Sequence, residues 1–150
     1  MDNLDYLILT CLKENSRMKA SEISKRINLS VSCVLERIKK LEKDKIIEKY
    51  SLVLNQKKLG NDVTVLVDVT LEHPRYYDSF VKNILSNKNV VECSCVSGDF
   101  DFVIKIIASS TENLEKIHRK ILALEGVKTT KTHFVFRTLK SDSAYLPEQI

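Results

Sequence analysis

Two stretches of this sequence gather side chains able to bind a ligand. In "SVSCVLERIKKLEKDK", residues 30–45, a helical stripe of Val31, Val34, Leu35, Ile38 and Leu41 would face a core. That leaves Ser32, Cys33, Glu36, Arg37, Lys39, Lys40 and Lys43 outward, polar early and cationic late. Such a face suits the major groove of a duplex: short side chains near the helix start approach base edges, while Arg and Lys farther along reach bases or phosphates. In "CVSGDFDFVI", residues 95–104, a Gly-Asp tip joins two β-rich runs, and two carboxylates and a phenyl ring crowd onto it. That crowding marks a second candidate binding site.

Other chemistries find little support. Cys11, Cys33, Cys93 and Cys95 contain no C-x-x-C pair, and His73, His118 and His133 show no ligand spacing, so the cysteines read as reduced thiols and no metal is expected. No nucleophile and base pair up, and no G-x-x-x-x-G-K phosphate loop is present, so neither an enzyme nor a cofactor is expected. No apolar run approaches the roughly 20 residues that cross a bilayer, and the start "MDNLDYLILTCLKEN" is acidic where a secretory signal would be basic; no membrane partner and a cytoplasmic location are expected.

Both stretches sit within a regular succession of helices and strands. Leu4, Leu7, Ile8, Cys11 and Leu12 make a first amphipathic helix capped by Asp2, and "ASEISKRI" a second that ends at Asn28. Ser30 caps the third, which completes a helix-turn-helix. "KIIEKYSLVLN" then leaves as a strand, a wing from which Lys45, Lys49 and Tyr50 would contact phosphate. Farther on, "VTVLVDVTL" alternates as a strand, Pro74 opens a helix, "VVECSCVS" and "DFVIKIIA" form the hairpin, Ser109 and Glu112 box a helix ended by Gly126, and "VKTTKTHFVFRTL" is a last strand.

The fold class is therefore α+β: a winged helix-turn-helix followed by a βαββαβ ferredoxin-like unit. The expected domains are 1–50 for nucleic-acid binding, a linker strand over 51–61, and 62–150 for the second unit. Charge divides the same way, with 13 Lys and Arg against 8 Asp and Glu up to residue 60 and 11 against 12 after it. The second unit's open sheet face, expected to be rich in Val, Ile and Phe, calls for cover by another copy and hence a homodimer.

With these elements in place the sequence resembles the Lrp/AsnC family, the feast/famine transcription regulators. The resemblance runs through "LDYLILTCLKENSRMKASEISKRINLS", "LERIKKLEKDKIIEKYSLVLN", "VSGDFDFVIKI" and "GVKTTKTHF". It implies a second domain of the AsnC type, a DNA-binding dimer that assembles further into octamers, and a small effector, commonly an amino acid, held between dimers near the hairpin. Backbone N–H groups of a Gly-containing turn can hold its carboxylate and an Asp its ammonium. Asp101 is the foremost effector residue, joined by Gly98, Asp99 and Phe100 and, from the last strand, Thr132 and His133. Double-stranded DNA would meet Ser30, Ser32, Cys33, Glu36, Arg37, Lys39, Lys40, Lys43, Lys49 and Tyr50.

Five positions depart from the family pattern. Asn28 and Lys45 stand where Gly is usual, Lys19 where a small capping residue opens the second helix, Val31 for a frequent Pro and His133 for a frequent Tyr. The expected function is sequence-specific transcription regulation modulated by an effector. Two alternatives are an architectural DNA-binding protein without effector, and an enzyme similar to the sirohaem decarboxylases, whose tetrapyrrole chemistry would need histidines and arginines lining a large pocket, where the later elements offer only His118 and His133.

Overall fold

In the computed structural model, which describes residues 1–142 and 144–147, the chain divides into two units: residues 1–53 with the described residues beyond 140, and residues 54–140. The domain end expected at residue 150 lies outside the described residues. No helix among them is long and apolar enough to cross a membrane.

The first unit begins with a reciprocal cap on α1 (Asn3–Glu14). Asp2 Oδ1 accepts the Asp5 N–H at 2.9 Å and the Asp2 N–H donates to Asp5 Oδ2 at 3.0 Å, which satisfies donors a helix start leaves open. Helix α2 (Ala20–Ile27) starts without such help, because Lys19 makes no side-chain cap. It ends at Asn28 in the left-handed conformation, φ 55° and ψ 50°, a backbone Asn tolerates better than most residues. Ser24 closes the turn: its Oγ donates to the Leu29 carbonyl at 2.6 Å, and its carbonyl accepts the Leu29 N–H at 3.1 Å. Ser30 Oγ then accepts the Cys33 N–H at 3.2 Å and starts α3 (Val31–Lys43). Ile8, Cys11, Met18, Ile23, Val34 and Leu41 form the core that the three helices share.

After α3 the chain turns through Lys45, whose φ of 59° occupies the left-handed region glycine favours. The wing strand and the linker strand over 51–61 do not form. Residues 48–55 are irregular, and a 3-10 turn at Lys57–Leu59 follows. The side-chain types there suit a strand, but a strand needs a neighbour for its N–H and C=O groups. None is paired with this segment among the described residues, and Leu52 and Val53 are 80% and 100% exposed.

The second unit has the order β1 (Val63–Leu71), α4 (Tyr77–Leu85), β2 (Val90–Cys95), β3 (Phe102–Ala108), α5 (Thr111–Leu122) and β4 (Val127–Phe134). This is a βαββαβ ferredoxin-like unit whose antiparallel sheet runs β2-β3-β1-β4. Alternation decides which side is buried. Val65, Val67 and Val69 of β1 and Phe102, Ile104, Ile106 and Ala108 of β3 lie beneath Phe80 and Ile84 of α4 and Leu114, Ile117 and Ile121 of α5. Phe102 packs between Tyr77 and Phe80, ring centroids 5.2 and 4.7 Å away.

Three expectations need correction here. Ser110, not Ser109, caps α5, accepting the Asn113 N–H at 3.2 Å; the Ser110 hydroxyl also holds the Glu112 carboxyl below its ordinary pKa. Helix α5 stops at Leu122, and Gly126 instead makes a left-handed turn, φ 84°, where a Cβ would strike the Tyr76 ring. The open sheet face is also not mainly apolar. It presents Leu66, Val103 and Ile107 together with Asp68, Glu92, Lys105, Lys131 and His133, because the strands spent their Val, Ile and Phe on the helix side.

Candidate functional site

The face that α3 offers is turned from the one its hydrophobic pattern predicts. Val34 and Leu41 are buried and Ile38 partly so, as expected, but Val31 and Leu35 are exposed while Cys33 and Arg37 lean inward. The outward face is therefore Val31, Ser32, Leu35, Glu36, Lys39, Lys40 and Lys43. No salt bridge among the described residues engages Lys39, Lys40, Lys43 or Lys49, so the late half of the helix keeps an uncompensated positive charge.

Three expected DNA contacts are otherwise employed. Arg37 Nη1 lies 2.8 Å from Asp2 Oδ2 and 2.7 Å from Asp5 Oδ1. Its hydrogen bonds to Asp5 and then Asp2 raise its pKa further, and the guanidinium so held clamps α1 to α3. The Tyr50 hydroxyl donates to Glu42 Oε1 at 3.0 Å, and burial followed by that bond pushes its pKa up to about 12. Its single O–H therefore has no second donation for a phosphate. Ser30 Oγ serves as the cap of α3 and lies 3.1 Å from Ser32 Oγ. Sequence reasoning missed the partners Asp2, Asp5 and Glu42; the signal available was Asp2 and Asp5 at capping spacing, which accounted for the cap alone.

The hairpin expected to hold an effector is anchored by Asp101. Its N–H donates to the Val69 carbonyl at 2.9 Å, its carbonyl accepts the Val96 N–H at 3.0 Å, and its Oδ2 accepts the Leu71 N–H at 2.7 Å. One carboxylate oxygen thus pins the loop to the end of β1. Asp101 also lines a cavity of about 150 Å³ with Leu71, Glu72, His73, Pro74, Tyr77, Cys95 and Val96. There the neighbouring Cys95 thiol holds the Tyr77 phenol above its ordinary pKa. Gly98, at φ 136°, and Asp99 are exposed at the tip, and Phe100 is half-buried. Tyr77 and Cys95 are neighbours of Asp101 that no sequence spacing announces.

Thr132 and His133 are not beside that hairpin within the subunit. Asp101 bonds Val69 and Leu71 at the end of β1, whereas His133 pairs with Leu66 and Thr132 with Val67; the three residues from Leu66 to Val69 span about 10 Å of strand. The two also face opposite ways. Thr132 shares the helix-covered side with Val67, while His133 lies on the open side with Nε2 2.8 Å from Asp68 Oδ2. His118 sits on the helix side, its Nε2 2.9 Å from Thr130 Oγ1. The sheet thus separates His118 from His133, and the two do not line one tetrapyrrole pocket. No three His, Cys, Asp or Glu side chains gather to hold a metal among the described residues.

Comparison with known proteins agrees with this two-unit plan. The family model for the Lrp/AsnC ligand binding domain matches residues 63–145, and that for winged helix-turn-helix DNA-binding matches residues 1–48. The leucine-responsive regulatory protein of Haemophilus influenzae is 34% identical over 143 residues, covering 93% of this chain and 86% of that protein. Among solved structures, LrpC of B. subtilis superposes with a TM-score of 0.84 at 32% identity, covering 94% of this chain and 98% of that one. AsnC of E. coli does so with a TM-score of 0.89 at 26% identity, over 96% and 97% of the two chains.

Proposed function

The chain belongs to the Lrp/AsnC family of transcription regulators, and from that premise we propose that it regulates transcription by sequence-specific binding through α3, under control of a small effector held at the β2–β3 hairpin. The observation that carries the first part is the exposed face of α3, where Lys39, Lys40 and Lys43 follow Ser32 and Glu36 and enter no salt bridge among the described residues. That arrangement puts hydrogen-bonding groups toward base edges and ammonium groups toward phosphates.

For the effector, an amino acid fits best. Asp101 keeps Oδ1 for an ammonium group while Oδ2 holds Leu71, and the N–H groups around Gly98 suit a carboxylate. Thr132 and His133 contribute only if a neighbouring subunit brings them, which accords with a site between copies of the chain. The protein acts as a cytoplasmic homodimer or higher assembly, its subunits covering the open sheet face and the exposed segment around Leu52 and Val53.

Binding measured by fluorescence anisotropy tests the reading, using duplexes enriched from a random pool by the purified protein. A preference of about a thousandfold over unrelated duplex is expected at physiological salt. Near-equal affinity for all sequences would replace it with the architectural role. Thermal unfolding with each of the twenty amino acids identifies the effector, since a ligand at about 100 times its Kd adds about 2.7 kcal/mol to stability.

A further inference from the structure

We propose that Val31 and Leu35 read the 5-methyl groups of thymine on the groove floor, so that the half-site this chain selects contains thymines facing the first two turns of α3. The inference rests on the DNA-binding reading above and adds the chemistry of the bases it prefers. Val31 and Leu35 are 41% and 46% exposed, although Val34 and Leu41 on the same helix are 0% and 2%. Single exposed apolar residues are ordinary. These two stand four apart on one helical row, and that row continues four residues at a time into Lys39 and Lys43.

The row therefore changes along its length from apolar to cationic, with no carboxylate of the described residues in a salt bridge to either lysine. A duplex offers the matching gradient. Its phosphates flank the groove, and among the four bases only thymine carries a methyl group on the major-groove edge. Ser32 and Glu36, on the adjacent row, supply hydrogen-bonding groups for neighbouring bases. A protein surface would match the apolar half and leave Lys39, Lys40 and Lys43 facing it without a stated counter-charge.

The test compares the duplex best enriched by the purified protein with the same duplex carrying deoxyuridine for every thymidine in the half-sites. Uracil differs from thymine only by the missing methyl, so hydrogen-bond pattern and phosphate charge are kept. Wild type should lose about fourfold in affinity for each methyl it buries, with an unchanged dependence on salt. Leu35→Ala and Val31→Ala, both at exposed positions, should keep the wild-type melting temperature, and each should lose sensitivity to part of the replacement. Equal binding of both duplexes by wild type overturns the proposal, as does a loss that persists undiminished in both variants, enriched half-sites without thymine, or variants that dissociate the oligomer. Each of these leaves DNA binding itself standing. Failure to enrich any duplex at low salt would instead remove the DNA-binding reading, and the inference with it.

Discussion

Asp5 Oδ1 lies 2.7 Å from Arg37 Nη1, a contact that crosses 32 residues of sequence and ties the first turn of α1 to the middle of α3. Asp2 adds contacts of 2.9 and 2.8 Å to the same nitrogen. The two carboxylates that cap α1 therefore also hold Arg37 on the inward side of α3.

Arg37→Ala separates the clamp from the reading face. It should lower the melting temperature of the first unit by several degrees, because the largely buried Asp5 is left without its cationic partner. Affinity for selected and unrelated duplexes should fall by the same factor once the folded fraction is allowed for. Anisotropy titrations with both duplexes check this; a specific loss on the selected duplex would return Arg37 to the bases.

The clamp also has a pH dependence. The Asp5 N–H, followed by Arg37, holds the Asp2 carboxyl below its ordinary value of 3.8. The folded state then binds fewer protons than the unfolded one in this range, so the contribution is present above that value and is lost as pH falls through the lower, folded one. Wild type should lose stability from about pH 5 to about pH 3 more steeply than Asp2→Asn, which keeps an oxygen for the Asp5 N–H but has no proton to gain. Thermal unfolding across that window checks it, and parallel curves would refute it.

How far the sequence foretold this arrangement can be seen in α3. Its central stripe of Val34, Ile38 and Leu41 was legible from spacing, but two flanks compete to join it, Val31 with Leu35 or Cys33 with Arg37. Hydrophobicity favours the first pair. The second turns inward because Asp2 and Asp5 on another helix attract Arg37, a fact no local window contains. Strand β1 was legible from end to end because one residue type alternates, and Asn28 was legible as a helix stop because its side chain tolerates the left-handed turn. The wing was not, since a strand's existence depends on a neighbour. The opposite directions of Thr132 and His133 follow from alternation alone.

Lys45 tests the backbone. At φ 59° it holds a conformation that costs a residue with a Cβ about 1–2 kcal/mol. Lys45→Gly should therefore raise the stability of the first unit by about 1 kcal/mol, after the greater freedom of glycine in the unfolded chain is set against the relief. Asn28→Gly, at a comparable φ of 55°, should change it by less than about 0.5 kcal/mol, because Asn already accepts that region. Chemical denaturation of both variants measures the difference; a destabilised Lys45→Gly would mean its side chain makes a contact worth more than the strain.

Asp101 is the residue where structure and sensing must be told apart, since its two carboxylate oxygens have different duties. Oδ2 accepts the Leu71 N–H at 2.7 Å, and truncation at Asp101→Ala should cost about 1–2 kcal/mol through that partly buried donor alone. Asp101→Asn keeps an oxygen for Leu71 and loses the negative charge. It should unfold close to wild type while its affinity for an amino acid falls at least about tenfold, as the loss of a charge-assisted hydrogen bond requires. Calorimetric titration of wild type and Asp101→Asn with the amino acid that most raises the wild-type melting temperature decides the matter. Equal affinities would place the ammonium group elsewhere, and Glu72, which lines the same cavity, would be the next carboxylate to replace.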